Sequence, residues 1–277
     1  MDKRQKQHSS SQRQDRFSRL RSVFLSQYAE FVAAVRFLTV LPVPGSTQVF
    51  DKDEVTPRLV IGCEYFPLVG LLLALLLWLL VLILAPLVPQ LVLAALLVAM
   101  LVILTGGLHL DGLMDSCDGL FGGSTRERKL EIMRDSRVGS FGVLGATCIL
   151  LLKFALFASI RAHTLPLALL IALPSARWAM VLVLRVFPGA RPTGLGAAFH
   201  QAVTTERLVL ASIVALTIVL IAGRFIGLIV WITVTITTLI LGSWITRSIG
   251  GLTGDNYGAI EEVAEVVALL VVVMVRV

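Results

Sequence analysis

Charged side chains are scarce in this chain, and acidic ones scarcer still: Asp, Glu, Lys and Arg together make up 15% of the 277 residues, and 18 of them are acidic. With 57% hydrophobic residues and a mean hydropathy of +0.89, that scarcity excludes a soluble globular domain and implies a polytopic membrane protein. Cysteine is nearly absent too. Cys63, Cys117 and Cys148 show no CxxC spacing and form an odd set, which argues against a thiolate metal site or a disulfide framework. Residues 1–16 have no apolar run and no cleavage site, so no signal peptide is expected. The net charge of +6 is not a nucleic-acid signature, because the basic residues sit in the tail and at the ends of apolar runs, where membrane orientation accounts for them.

What is present is mostly long apolar runs. At roughly 20 residues per crossing, spans are expected at about 66–86, 90–106, 139–160, 165–187, 207–223, 225–246 and 260–277. The fold class is therefore all-α: a polytopic integral membrane helix bundle of about seven transmembrane helices, with membrane lipid as its surroundings. Ahead of it, residues 1–16 read as a disordered basic tail. Residues 17–277 read as a single membrane-embedded domain, in which 17–40 form an amphipathic interfacial helix and 107–138 an Asp-rich cytoplasmic loop. Lys and Arg crowd the tail, the 107–138 loop and the 185–207 loop, whereas the alternate connections carry few. By the positive-inside rule the N-terminus is cytoplasmic. The Asp-rich loop, the RPTGLGAAFH loop and GGLTGDNYGAIEE (Gly250–Glu262) then share its face, and every acidic residue after Glu64 falls in or beside one of the three.

The Asp-rich loop carries the chemistry. Asp111, Asp115 and Asp118 are spaced i, i+4, i+7 and share one stripe of a helix, with Leu110, Leu113, Met114, Cys117 and Phe121 on the other. Carboxylates clustered on one stripe suit a hard divalent cation such as Mg²⁺, with positions left open for phosphate. Gly122 and Gly123 end that helix, and Ser124 with Glu127 reads as a capping box opening the next. Glu127, Glu131, Arg134 and Asp135 follow on one side, then Arg137. Carboxylates for a metal beside guanidinium forks for phosphate oxygens are what phosphoryl transfer requires. The competing reading is a solvated loop whose charges pair among themselves. His109 offers a metal ligand or proton acceptor, or a structural role beside its glycine turn. Asp255 and Glu261 read as helix N-terminal charges, whereas Glu265, inside a span, must face a cavity or a partner. Lys153 and Arg177 are the candidates for that partner or for substrate phosphate, with snorkelling as the alternative for Lys153.

At this point a family resemblance enters. LHLDGLMDSCDGLFGG followed by ERKLEIMRDSRVGSFG resembles the cobalamin synthase family, the adenosylcobinamide-GDP ribazoletransferases. VRFLTVLPVP, YFPLVGLLLA and GLTGDNYGAIEEVAEVVALL agree, so the resemblance runs from about Phe31 onward; Glu64 departs from it. It implies a Mg²⁺-dependent enzyme of the bacterial or archaeal inner membrane. Such an enzyme joins α-ribazole, or its 5′-phosphate, to adenosylcobinamide-GDP with release of GMP. It also implies Asp111, Asp115, Asp118 and Asp135 as metal ligands, with Asp118 taking the hydroxyl proton. Arg134 and Arg137 would clamp phosphate oxygens, with His109 and Ser136 as further substrate contacts, and Asp255, Glu262 and Glu265 would close the cavity from the last helix. A homo-oligomer or association with other corrinoid-pathway enzymes fits the same picture. Three alternatives stay open. A CDP-alcohol phosphotransferase lacks its DGxxAR run here, and a prenyltransferase would share the Asp111–Asp115 spacing but lack a second Asp-rich block. A cation transporter would place its acids near the bilayer midplane.

Overall fold

The computed structural model describes residues 21, 24–44, 62–191, 199 and 202–276. The basic tail 1–16 and most of the RPTGLGAAFH loop lie outside the described residues. Within them the regular structure is helical: α1 (24–38), α2 (Phe66–Leu84), α3 (Gln90–Thr105), α4 (Leu108–Gly122), α5 (Arg126–Ile132), α6 (Ser140–Ser159), α7 (Leu165–Val186), α8 (Thr205–Gly223), α9 (Phe225–Ile249) and α10 (Gly254–Arg276). One isolated backbone bridge joins Gly189 to Leu252.

Of the seven spans the sequence predicts, five have a helix both long and apolar enough to cross a bilayer: α2 with the turn before it, α6, α7, α8 and α9. The other two fall short for different reasons. α3 has only 16 residues, and α10, though 23 long, carries Asp255, Glu261, Glu262 and Glu265 in its first half. Counting α3 and α4 as one broken span brings the total to six. Lipid-facing stripes recur at helical period, as in Ile232, Ile236 and Ile240 of α9, while Val230, Val234 and Ile245 on its other side are buried. α7 is the central helix and is buried along nearly its whole length, packed against α2, α8, α9 and α10.

The first half of α1 exposes Phe24, Leu25 and Tyr28, as an interfacial helix would, but its second half docks Val35 and Leu38 into the core. Arg207 at the start of α8 ties it down: its guanidinium reaches Glu30 at 3.0 Å and Glu64 at 3.2 Å. The unexpected Glu64 is thus half of a buried ion pair.

The three chemistry-bearing segments meet at one end of the bundle. Arg126 Nε donates to the Ile249 carbonyl (2.7 Å), Lys129 Nζ to Ser248 Oγ (2.6 Å) and Arg191 Nη2 to the Leu130 carbonyl (3.2 Å). At the other end the amide of Gln90 donates to the carbonyls of Phe157 (3.0 Å) and Ile160 (2.7 Å). α4 belongs to the first end because the chain turns sharply out of α3. Gly106 (φ 62°) and Gly107 (φ 71°) both adopt the left-handed region that side chains disfavour, and α4 departs at 89° to α3, across the bundle end and outside the spans.

α4 then presses against α10 with almost no space between backbones. A Cβ on Gly112 would lie 2.7 Å from the Asp255 carbonyl oxygen, and one on Gly258 would lie 3.0 Å from the His109 backbone. Gly112→Ala is therefore expected to push the two helices apart at a cost of about 1–3 kcal/mol. Thermal unfolding of the detergent-solubilised protein should show a lowered midpoint; an unchanged midpoint would mean the contact is not closely packed.

Candidate active site

Each aspartate of the α4 stripe meets a different environment. Asp111 is exposed, Asp115 is half-buried and Asp118 is buried. Asp118 is engaged by backbone: its Oδ2 accepts from the Gly139 N–H and its Oδ1 from the Gly142 N–H, both at 2.8 Å. Those amides begin α6 and have no helical partner of their own, so the carboxylate caps the helix from a distant segment. The sequence placed Asp118 among the metal ligands and as proton acceptor; the structure also makes it the anchor between α4 and α6.

Asp115 has its carboxyl pushed up to about 6, first by burial and then by the charges of Asp255, Asp111 and Asp118, with Arg191 opposing. Like charges held together in this way are what a cation would relieve. Asp135 shows the reverse. It accepts from Arg137 Nε at 3.0 and 3.1 Å and from Nη2 at 2.6 Å, and these bonds hold its carboxyl down at about 2. Asp135 and Arg137, expected to serve metal and phosphate separately, are bonded to each other on an exposed turn. The cap of α5 also differs from expectation by one residue: Thr125, not Ser124, accepts from the Arg128 N–H, at 3.2 Å.

These residues converge. Asp111, Asp115, Asp118, Arg134, Asp135, Ser136 and Arg137 all line one cleft of about 310 Å³, floored by Met114, Met133 and Val138. Among the described residues no three of the His, Cys, Asp or Glu side chains stand close enough together to hold a metal ion by themselves.

His109 and Asp255 line a second, adjoining chamber of about 280 Å³ between α1, α4, α7 and α10. Asp111 lines both spaces. Arg191, which the sequence read only as a loop charge marking the membrane side, lines the chamber too, and its field reaches Asp115 and Asp255. The carboxyl of Asp255 is raised by burial, against Arg191 and a bond from Thr253 Oγ1 at 3.2 Å. Asn256, next to it, locks α10 to α4 by donating to Ser116 Oγ at 2.8 Å. An Arg-Pro step in a turn-rich loop was the available hint for Arg191.

Glu262 and Glu265 line neither space, contrary to the expectation that they close the cavity. They sit deeper, in a buried ion network. Lys153 of α6 meets Glu262 at 2.7 Å and also pairs with Glu265; Arg177 of α7 meets Glu261 at 2.7 Å and also pairs with Glu265; His109 Nδ1 stands 3.1 Å from Glu261 Oε2. The physical reason is that a carboxylate inside a bundle is tolerated only beside cations, and α6 and α7 bring one each. Lys153 therefore does not snorkel, and Glu261 is no surface cap: it is 0% exposed.

The family model for cobalamin-5-phosphate synthase matches residues 30–273. A relative from Roseiflexus sp. (strain RS-1), named adenosylcobinamide-GDP ribazoletransferase, is 41% identical over 242 residues, covering 87% of this chain and 88% of its own. Relatives bearing the same name from Desulfitobacterium hafniense (42% identical; 86% and 93% covered) and Citrobacter koseri (35%; 87% and 97%) agree. No solved structure matches the chain.

Proposed function

The chain belongs to the cobalamin-5-phosphate synthase family, and on that premise we propose that it joins α-ribazole, or its 5′-phosphate, to adenosylcobinamide-GDP and releases GMP. The reaction is an alcohol displacement on a diphosphate. The 3′-hydroxyl of the ribazole attacks the phosphorus on the cobinamide side, a new P–O bond forms, the bond to the bridging oxygen breaks, and that oxygen leaves with GMP. The observation that carries the reading is the single cleft in which three carboxylates of α4 face Arg134 and Arg137.

Within that cleft Asp111 and Asp115 are the residues that would hold a divalent cation beside the diphosphate. Bound Mg²⁺ would neutralise the charge that builds on the leaving phosphate. Arg137 exchanges its pairing with Asp135 for a phosphate oxygen, which would leave Asp135 available as a further holder of the cation. Arg134 and Ser136 complete the cradle. Asp118, with both oxygens occupied by N–H groups, fixes the angle between α4 and α6 rather than moving a proton. The face bearing the cleft is cytoplasmic, since the Lys and Arg residues of the tail and of the 107–138 and 185–207 loops gather on that side, and the apolar stripes of α2, α8 and α9 meet lipid of the inner membrane. Contact with a second copy or with other corrinoid-handling enzymes would use the same exposed end.

Purified protein given adenosylcobinamide-GDP, α-ribazole 5′-phosphate and Mg²⁺ should release GMP in step with loss of the corrinoid substrate. No GMP, or equal release without the ribazole, contradicts the reading. Because Asp115 must be ionised to bind the cation, a carboxyl raised to about 6 works against binding below that pH. Apparent Mg²⁺ affinity should therefore rise steeply as pH increases through about 6 and level off above 7. A flat profile from pH 5 to 8 would exclude Asp115 from the cation.

A further inference from the structure

Three residues lining the chamber beside the cleft carry a buried polar atom with no hydrogen-bond partner among the described residues, and Arg191 Nε is one of them. His109 is 2% exposed and Tyr257 4% exposed. Yet among the described residues His109 Nε2 and the Tyr257 hydroxyl have no hydrogen-bond partner, and both residues line this chamber. Each such atom costs about 1–3 kcal/mol left bare. Three of them beside one cavity mark a place where a ligand completes the bonding. Asp111, Thr253 and Asp255 line the chamber as well, and the rest of its wall is apolar and aromatic. Phe37, Phe66 and Phe199 gather there, with ring centroids 5.0 Å apart for Phe37–Phe199, 6.2 Å for Phe66–Phe199 and 6.3 Å for Phe37–Phe66, and Met180 packs among the lining residues.

The polarity of the His109 and Tyr257 atoms narrows the ligand. Glu261 Oε2 faces His109 Nδ1 at 3.1 Å, which places the ring proton there and leaves Nε2 as an acceptor. The Tyr257 hydroxyl is free to donate. The Tyr257 donor and the His109 acceptor beside the three phenylalanine rings match a flat bicyclic base with a lone ring nitrogen, carried on a sugar that presents a hydroxyl, and Arg191 Nε is left for a further oxygen of the same ligand. A volume of about 280 Å³ holds such a base and leaves no room for a corrin ring.

Resting on the function proposed above, we infer that this chamber is the binding site for the aromatic base of the acceptor nucleoside, with the Tyr257 hydroxyl donating to the base nitrogen and His109 Nε2 accepting from the sugar. The placement has a chemical consequence. Asp111 is shared with the diphosphate cleft, so a sugar leaving the chamber on that side brings its attacking hydroxyl to the phosphorus. Asp255 stands in the same wall, and its carboxylate takes the proton as the new P–O bond forms and GMP departs.

The test is equilibrium binding of α-ribazole itself to the full chain in detergent, by calorimetry, with GDP plus Mg²⁺ measured in parallel. Tyr257→Phe, which keeps the ring and removes only the hydroxyl, should weaken α-ribazole about tenfold and leave GDP unchanged. Met180→Trp, which fills the chamber, should reduce α-ribazole binding beyond detection while GDP still binds, and retained GDP binding reports that the variant is folded. The inference is overturned if α-ribazole does not bind the parent protein, if it binds Tyr257→Phe as tightly as the parent, or if GDP displaces it competitively. In each of those cases GMP release by the parent protein would leave the proposed function standing. Loss of GMP release with α-ribazole binding intact would overturn the function and not the site.

Discussion

Asp111→Asn and Asp115→Asn should each lower turnover on the order of 10²–10³-fold while leaving the protein folded. Asparagine preserves volume and one oxygen but removes the charge that a hard cation requires. Neither residue bears weight in the fold: Asp111 is exposed, and Asp115, half-buried among like charges, is relieved rather than stranded by neutralisation. GMP release at saturating substrate measures the loss, and thermal unfolding confirms the fold. Asp118→Asn should behave differently, although it lies on the same stripe. Two backbone N–H groups need two acceptors. An amide supplies one and turns its own N–H toward the other, so the variant should lose stability, by about 1–3 kcal/mol, along with rate. Equal stability of all three variants would contradict the division of labour along α4.

Arg177→Met should be the most destabilising single change in the bundle. The guanidinium is 1% exposed and serves Glu261 and Glu265 together. Three buried carboxylates, Glu261, Glu262 and Glu265, face two permanent cations, Lys153 and Arg177, and His109 Nδ1–H donates to Glu261. Removing Arg177 leaves that set two positive charges short unless carboxylates take up protons, and breaking a buried pair from one side costs about 3–5 kcal/mol. The network joins α4, α6, α7 and α10, so the penalty should appear as poor yield or a sharply lowered unfolding midpoint. Adding Glu265→Gln to Arg177→Met should recover part of the loss, because the paired residues are coupled. A double variant whose loss is the sum of the two single losses would show that the ion pairs do not act as a unit.

Periodicity alone made the α4 stripe legible, because residues four and seven apart on a helix share a face whatever surrounds them. The turn bearing Arg134 and Arg137 was legible for the same kind of local reason, being tethered within a few residues of the glycines that bound it. What escaped was everything that depends on which helix lies beside which. Glu262 and Glu265 could be placed on α10, but Lys153 and Arg177 reach them only through the packing of α6 and α7. Tyr257 and Phe66 are ordinary core residues in the sequence and become chamber walls only where α1, α4, α7 and α10 meet. Where the sequence predicts about seven spans, five pass on length and composition, or six with α3 and α4 counted together, because hydropathy registers an apolar run and not its length as a helix or the acids it carries.

Spectroscopy of Mn²⁺ in place of Mg²⁺ tests the cleft most directly, since paramagnetic resonance reports bound and free ion without turnover. Mn²⁺ should bind weakly to the protein alone, tightly once adenosylcobinamide-GDP is present, and weakly again in Asp111→Asn/Asp115→Asn with substrate added. Tight substrate-dependent binding that persists in the double variant would place the metal elsewhere and contradict the account.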